Sequence, residues 1–306
     1  MSAQPAGVQR YRVRHATRYE YAADVAHAHH LLHLAPRPTA RQICRQFALE
    51  LEPTPAVRGE HQDAFGNTVT RIEIDRPHRA LDVVATLEVE LPPRARVRPE
   101  NTEPWERVRD RLRYRPGAQD PAQLEALRYR GESPHVPIRR AFAEWAADCF
   151  TGGRPLLVGA EALMHRIHEE FEYAPGATQI GTPLLEVLDK KRGVCQDYAH
   201  FMIACLRSLG LAARYVSGYL RTQRPGETRR LVGADASHAW VAVHAPPHGW
   251  VELDPTNDRV VHSDHVVVAW GRDFGDVSPL RGVILGGGQH ELRVAVEVAP
   301  LTATPR

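Results

Sequence analysis

The segment GVCQDYAH, residues 193–200, decides the fold of this chain. Gly193 ends a preceding helical segment, and after it apolar residues recur at helical spacing as far as Gly210. Cys195 is therefore predicted to lie at the N-terminus of a helix. There the unpaired backbone N–H groups and the positive end of the helix dipole favour the thiolate, which is the nucleophilic form of cysteine. The same N–H groups are suited to stabilising an oxyanion.

The remaining cysteines have a simpler interpretation. Cys44 lies in a predicted strand, Cys149 on the apolar face of an earlier predicted helix, and Cys205 in the middle of the helix that Cys195 opens. No two of the four have CxxC-type spacing, so neither a disulfide framework nor a zinc site is indicated, and free thiols are expected. A cysteine inside a strand or helix is usually a small buried hydrophobe, which leaves Cys195 as the candidate nucleophile.

A nucleophilic thiol needs a base, and a predicted hairpin supplies one. Residues 237–244 (SHAWVAVH) are typical of a strand, residues 245–249 (APPHG) of a turn, and residues 250–255 (WVELDP) of a second strand that ends at proline. A turn centred near Pro246 would place His238 directly opposite Asp254, which could then orient the imidazole. A slip of one residue in this register would put the two side chains on opposite faces.

A thiol on a helix, followed by histidine and aspartate on a hairpin, is the papain-like arrangement of nucleophile, base and orienting group. The chain resembles the bacterial transglutaminase-like, cysteine-peptidase-like family. The matching motifs are GVCQDYAH (193–200), LGLAARYVSGYL (209–220), GADASHAWVAV (233–243), GWVELDPTN (249–257) and HVVVAWGRDFGDVSPLRGVILGGG (265–288). The resemblance implies Cys195 as nucleophile, His238 as general base and acid, and Asp254 as its orienter. The family often has an acidic residue where this chain has Ala242, a difference that leaves the triad intact.

The first hundred residues are mostly typical of half-buried antiparallel strands. Alternation is clear from Tyr11 to Tyr19 and across residues 80–91, and the stretch from RYEY (18–21) to HLAPRP (33–38) resembles the β-rich N-terminal domain of the same family. The predicted fold class is α+β, with a papain-like, transglutaminase-like catalytic domain. The predicted division is a β-rich domain at 1–100, a helical connector at 101–154 and the catalytic domain at 155–306.

Composition argues against several other classes of protein. The 306 residues carry 39 Lys+Arg and 37 Asp+Glu, a formal charge of +2, so no strongly charged partner is implied. Arginines at every second position from Arg107 to Arg115 fall on a predicted helix, where they spread around its surface, and nucleic acid is not expected. With no signal-peptide core and no apolar stretch near the roughly 18 residues of a membrane span, a soluble cytoplasmic protein is expected, without a membrane partner.

No cofactor or metal is expected either. The histidines between His27 and His33 lie in a predicted strand without cysteine or carboxylate ligands at a set spacing. Glycines 286–288 lack the phosphate-loop pattern, and no calcium-binding loop motif occurs.

The sequence thus predicts a cysteine-dependent acyl-transfer enzyme that acts on a peptide or protein substrate. Hydrolysis of a peptide or isopeptide amide bond through a thioester is the favoured reaction. Two alternatives stay open: a true transglutaminase, in which an amine accepts the acyl group, and a binding or scaffold module that keeps the fold without turnover.

Overall fold

The computed structural model describes residues 7–93, 95–113, 120–221, 232 and 236–301. The described strands are β1 (Gln9–Leu32), β2 (Ile43–Glu52), β3 (Val57–Gln62), β4 (Thr68–Ile74), β5 (His78–Leu91), β6 (Glu172–Tyr173), β7 (Arg192–Gly193), β8 (Ala213–Leu220), β9 (His238–His244), β10 (Trp250–Asp254), β11 (Arg259–Val260), β12 (His265–Gly271), β13 (Leu280–Gly286) and β14 (His290–Pro300). The described helices are α1 (Trp105–Arg111), α2 (Pro121–Leu127), α3 (Arg140–Ala146), α4 (Leu156–Glu170), α5 (Leu184–Lys190), α6 (Cys195–Ser208) and α7 (Phe274–Val277). The fold class is α+β, as predicted.

The first sheet is antiparallel and is built around the long strand β1. Its order is β2-β5-β1-β4-β3, and the side chains of β1 alternate between core and solvent from Tyr11 to Thr17, which confirms the alternation read from the sequence. The strand β3 was not predicted, because its six residues are all exposed and therefore carry no apolar alternation.

The last two strands also belong to this first sheet. β14 pairs with residues 11–21 of β1 and β13 with residues 25–32, both antiparallel. Residues 280–300, which the predicted division assigns to the catalytic domain, thus pair with the beginning of the chain. The sequences of β13 and β14 do not indicate which strand each pairs with. Pairing between residues some 270 positions apart is decided by packing and not by local periodicity. The division into three regions otherwise stays a prediction.

The second sheet carries the predicted hairpin. Its order is β11-β10-β9-β8-β12, and α6 packs against β8 and β9. Gly218 of β8 pairs with His238 of β9, and a Cβ at this glycine would lie 2.7 Å from the ring of Trp240 and would overlap the carbonyl oxygen of Val266. The absent side chain therefore lets β8, β9 and β12 approach closely beneath α6.

The helices predicted from apolar spacing are present. Arg107, Arg109 and Arg111 lie on α1 and Arg113 just after it, whereas Arg115 lies outside the described residues. Within the described ranges, no helix is long and apolar enough to cross a membrane.

Candidate active site

The start of α6 holds Cys195 in a fixed position. Cys195 is the first residue of the helix, as predicted, and Val194 is its N-cap residue. The Asp197 carboxylate accepts a hydrogen bond from the Val194 N–H at 2.8 Å and another from the Thr178 hydroxyl at 2.6 Å. A Cβ on Gly193 would lie 2.6 Å from the same carboxylate oxygen, so the glycine makes room for this cap. The motif GVCQD thus encodes the helix start that presents the thiol.

The four cysteines are all free thiols, as expected, but their surroundings differ. Burial raises the pKa of the thiols of Cys44, Cys149 and Cys205, and Cys205 is completely buried. Cys195 is partly exposed, and its side chain interacts with the imidazole of His238. Position and partner therefore set Cys195 apart from the other three thiols.

The hairpin forms with a register that differs from the prediction. Trp250 pairs with His244 and Leu253 with Val241, so the turn is centred on residue 247 and not on Pro246. The prediction that His238 lies directly opposite Asp254 is therefore wrong. Asp254 is displaced by two positions from the one that lies opposite His238. Because the offset is even, both side chains still lie on one face of the sheet, and His238 Nε2 donates to Asp254 Oδ2 at 2.8 Å.

His238 lies between a carboxylate and the thiol. Its side chain and that of Asp254 have no solvent exposure. Burial by itself lowers the pKa of His238, but the charge and hydrogen bond of Asp254, with a smaller contribution from Cys195, outweigh it and raise the pKa to about 10. With Nε2 held by Asp254, the second ring nitrogen, Nδ1, is the one available to the thiol. The arrangement therefore favours an imidazolium beside Cys195 at neutral pH.

Asp254 is surrounded by hydrogen-bond donors. Besides His238, Oδ2 accepts from His265 Nε2 at 3.1 Å and from Asn257 Nδ2 at 2.9 Å. Oδ1 accepts from the backbone N–H groups of Thr256 at 3.0 Å and Asn257 at 3.3 Å. Burial favours the neutral acid, but the charges and hydrogen bonds of His238 and His265 lower the pKa of Asp254 well below its usual range. Asp254 is therefore an ionised carboxylate in a fixed orientation.

Sequence reasoning missed several residues of this cluster. His265 opens β12, about ten residues beyond the hairpin, and Asn257 follows the proline that ends it. Trp240, on the predicted hairpin, has a fully buried indole that lies 6.0 Å from the His238 ring and donates to Glu252 at 2.9 Å. The signal that could have identified His265 is the pair Asp264-His265 at the start of an apolar strand.

The same cluster contains donors of the kind that bind transition metals. Ligand atoms of His238, Asp254 and His265 lie within 4.8 Å of one another. A shared hydrogen-bond acceptor accounts for this spacing, since both imidazoles donate to the same Asp254 oxygen. A metal ion here would bind His238 Nε2 and would therefore compete with the hydrogen bond between that nitrogen and Asp254. The expectation of no metal stays a prediction.

Comparison with known proteins identifies what this arrangement is similar to. Residues 11–90 match the family described as bacterial transglutaminase-like N-terminal region, and residues 143–255 match the transglutaminase-like superfamily. A Mycobacterium tuberculosis protein described as uncharacterized is 38% identical over 302 residues, covering 96% of this chain and 94% of its own. A protein-glutamine gamma-glutamyltransferase of Pseudomonas aeruginosa is 32% identical over 124 residues, covering 39% of this chain and 18% of its own.

A solved structure shares the whole fold. The crystal structure of a candidate cysteine protease from Cytophaga hutchinsonii covers 98% of this chain and 93% of its own, with a TM-score of 0.73 and 19% sequence identity. At this identity the likeness supports the fold alone.

Proposed function

The chain belongs to the transglutaminase-like superfamily, and from that premise we propose that it is a cysteine-dependent acyl-transfer enzyme. Cys195 is the nucleophile, His238 the general base and acid, and Asp254 the group that orients His238. The observation that carries this proposal is the buried His238 imidazole: its Nε2 is bonded to Asp254 at 2.8 Å, and its Nδ1, which has no other hydrogen-bond partner within the described part of the chain, is left for the Cys195 thiol that helps to raise its pKa.

The reaction follows from the protonation states. The Cys195 thiolate attacks the amide carbonyl, a C–S bond forms, and the carbonyl electron pair moves to oxygen. As the C–N bond breaks, the His238 imidazolium gives its proton to the leaving amine, which leaves a thioester and a neutral imidazole. Water then attacks the thioester carbonyl while His238 takes a proton from the water. The C–S bond breaks, the carboxylic acid leaves, and the thiolate and imidazolium are restored.

The helix start supplies part of the oxyanion stabilisation. The Cys195 N–H lies in the first turn of α6, where backbone N–H groups have no intrahelical acceptor. Loss of one such donor in an oxyanion hole costs about 3 kcal/mol of transition-state stabilisation. Asp197 preserves this geometry by holding the Val194 N–H on the other side of the cap.

Hydrolysis is the favoured outcome because Cys195 is partly exposed and water therefore reaches the thioester. The Pseudomonas aeruginosa relative supports the second candidate, transfer of a glutamine acyl group to an amine, through a match that includes only a part of each protein.

The experiment is a trapping and product analysis. A peptide library containing glutamine is incubated with the full chain, with and without a primary amine such as cadaverine, and the products and any thioester on Cys195 are identified by mass spectrometry. Free acid in both reactions indicates hydrolysis, whereas an amine adduct indicates transglutamination. Cys195→Ala is the control, and it should form neither thioester nor product.

A binding module of the same fold makes the opposite prediction. In that case Cys195 would react with iodoacetamide near neutral pH no faster than an ordinary thiol, and no thioester would be trapped. Reaction of Cys195 at pH 6 to 7, where an unperturbed thiol is almost fully protonated, supports the enzyme.

A further inference from the structure

His265 contacts the proposed triad from a third strand. It opens β12, at the edge of the second sheet, and its side chain is completely buried. Its Nε2 lies 3.1 Å from Asp254 Oδ2, the oxygen that His238 also contacts, and its Nδ1 lies 2.9 Å from Asp264 Oδ1. The ring is therefore held between two carboxylates.

The hydrogen bonds determine the charge of this ring. An ionised carboxylate only accepts hydrogen bonds, so each nitrogen of His265 must donate, and only the imidazolium has two donors. Asp264 is itself ionised, because its second oxygen accepts from the Arg259 guanidinium at 3.0 Å. Burial disfavours the charged ring, but the charge of Asp264 and the hydrogen bonds to both aspartates raise the pKa of His265.

These contacts form a chain of alternating charge. It runs from Arg259 through Asp264, His265 and Asp254 to His238, and from there to the thiol of Cys195. With Cys195 as thiolate and His238 as imidazolium, three positive and three negative groups balance. The other titratable group within ring-contact distance of His265, among the described residues, is His238, at 6.1 Å between ring centroids.

We propose that His265 is a positioning residue of the active site: its imidazolium fixes Asp254 from the side opposite His238 and supplies the positive charge that keeps the buried chain neutral when Cys195 ionises. The proposal rests on the function proposed above. Without this charge the cluster carries a net negative charge once the thiolate forms, and ionisation of Cys195 is disfavoured. Loss of His265 should therefore move thiol ionisation to higher pH and not merely reduce the rate.

The expected size follows from the separation of the charges. At an effective dielectric of about 20, one charge 6.1 Å away shifts a pKa by about 2 units. Because the thiol lies on the far side of His238, we expect about half of this, an increase of about 1 pH unit in the midpoint of Cys195 ionisation.

The experiment measures the rate of Cys195 alkylation by iodoacetamide between pH 5 and 10 on the full chain, with peptide mapping to identify the modified thiol. His265→Gln removes the charge but keeps a donor for Asp254. Asp264→Asn leaves the His265 ring in place and removes the carboxylate that keeps its Nδ1 protonated. His30→Gln is the matched control, since His30 is a buried histidine of β1 in the first sheet.

We expect the alkylation midpoint to rise by about 1 pH unit in His265→Gln and to stay at the wild-type value in His30→Gln. Asp264→Asn removes one negative and one positive charge together, so we expect a smaller rise there than in His265→Gln. A merely structural role would lower the plateau rate without moving the midpoint. A midpoint equal to wild type in folded His265→Gln would overturn the inference. If His265→Gln does not fold, the protonation state of His265 in the wild-type ¹⁵N-histidine spectrum decides it.

A spectroscopic measurement separates this inference from the proposed function. In ¹⁵N-histidine spectra at pH 8, both nitrogens of His265 should carry protons in the wild type, and Nδ1 should lose its proton in Asp264→Asn. A neutral His265 in the wild type would also overturn the inference. A wild-type Cys195 that is inert at every pH would instead contradict the proposed function, and the spectra would still decide the state of His265.

Discussion

The buried pair of His238 and Asp254 should make the stability of the protein depend on pH in a defined window. The pKa of His238 is raised from 6.5 to about 10, so the folded state keeps a proton that the unfolded state has released. Stability from this pair is complete below pH 6.5 and is lost as pH rises toward 10. For His238 alone, the free energy of unfolding should fall by about 2 kcal/mol between pH 6.5 and 8.5.

Other buried histidines act against this slope within the same window. Burial lowers the pKa of His15, His30 and His200, so these rings are neutral in the folded state, whereas in the unfolded state each is half protonated at pH 6.5. Each of them therefore regains about 0.4 kcal/mol of stability as pH rises from 6.5 to 8.5. The buried thiols contribute only as pH approaches the ordinary cysteine value, near 8.5 to 9. The raised pKa of His265 acts in the same direction as that of His238 and steepens the slope.

Asp254→Asn is the perturbation that tests this reasoning. In the variant, burial acts on His238 without the charge that opposes it. The fall in the free energy of unfolding between pH 6.5 and 8.5 should therefore be smaller than in the parent by about 2 kcal/mol. Both chains carry Cys195→Ala, so that the active-site thiol does not titrate, and unfolding in urea is followed by circular dichroism at pH 6.5, 7.5 and 8.5.

The matched control is Asp258→Asn, which removes the aspartate partner of an exposed histidine, His165, whose side chain is 56% accessible. Solvent screens the pair of Asp258 and His165, so the change in the free energy of unfolding between pH 6.5 and 8.5 should be the same as in the parent. The other buried histidines contribute equally to both chains, so an equal change in the free energy of unfolding between pH 6.5 and 8.5 in the parent and in Asp254→Asn would refute the assignment of His238 as a buried imidazolium.

Further variants test the start of α6. Cys195→Ala should abolish turnover and thioester formation, whereas Cys205→Ala, at a fully buried site, should lower the melting temperature and leave activity; equal residual turnover would contradict the assignment. Gly193→Ala places a methyl group against the Asp197 carboxylate and should cost about 1 kcal/mol in urea unfolding and slow alkylation of Cys195. Thr178→Val removes the 2.6 Å bond to Asp197 and should cost about 1 kcal/mol, with unaltered stability arguing against the cap.

Sequence reasoning reached the parts of the site that depend on local pattern. Helical spacing after Gly193 placed Cys195 at the start of α6, and the strand-turn-strand pattern placed His238 and Asp254 on one hairpin. The exact pairing differed by two positions because the turn is centred one residue later than assumed. The shared face survived, since side chains in a strand alternate with a period of two and the error was even.

The sequence by itself determined which residues are able to form the proposed triad, because a helix start and a hairpin are both set by neighbours a few residues apart. Only the tertiary structure decided what surrounds them: β12 brings Asp264 and His265 against Asp254, and β13 and β14 return to pair with β1. Such contacts join residues far apart in the chain, and no local periodicity specifies them. They form because α6 packs against the second sheet and because Gly218, which has no side chain, lets the strands of that sheet approach closely.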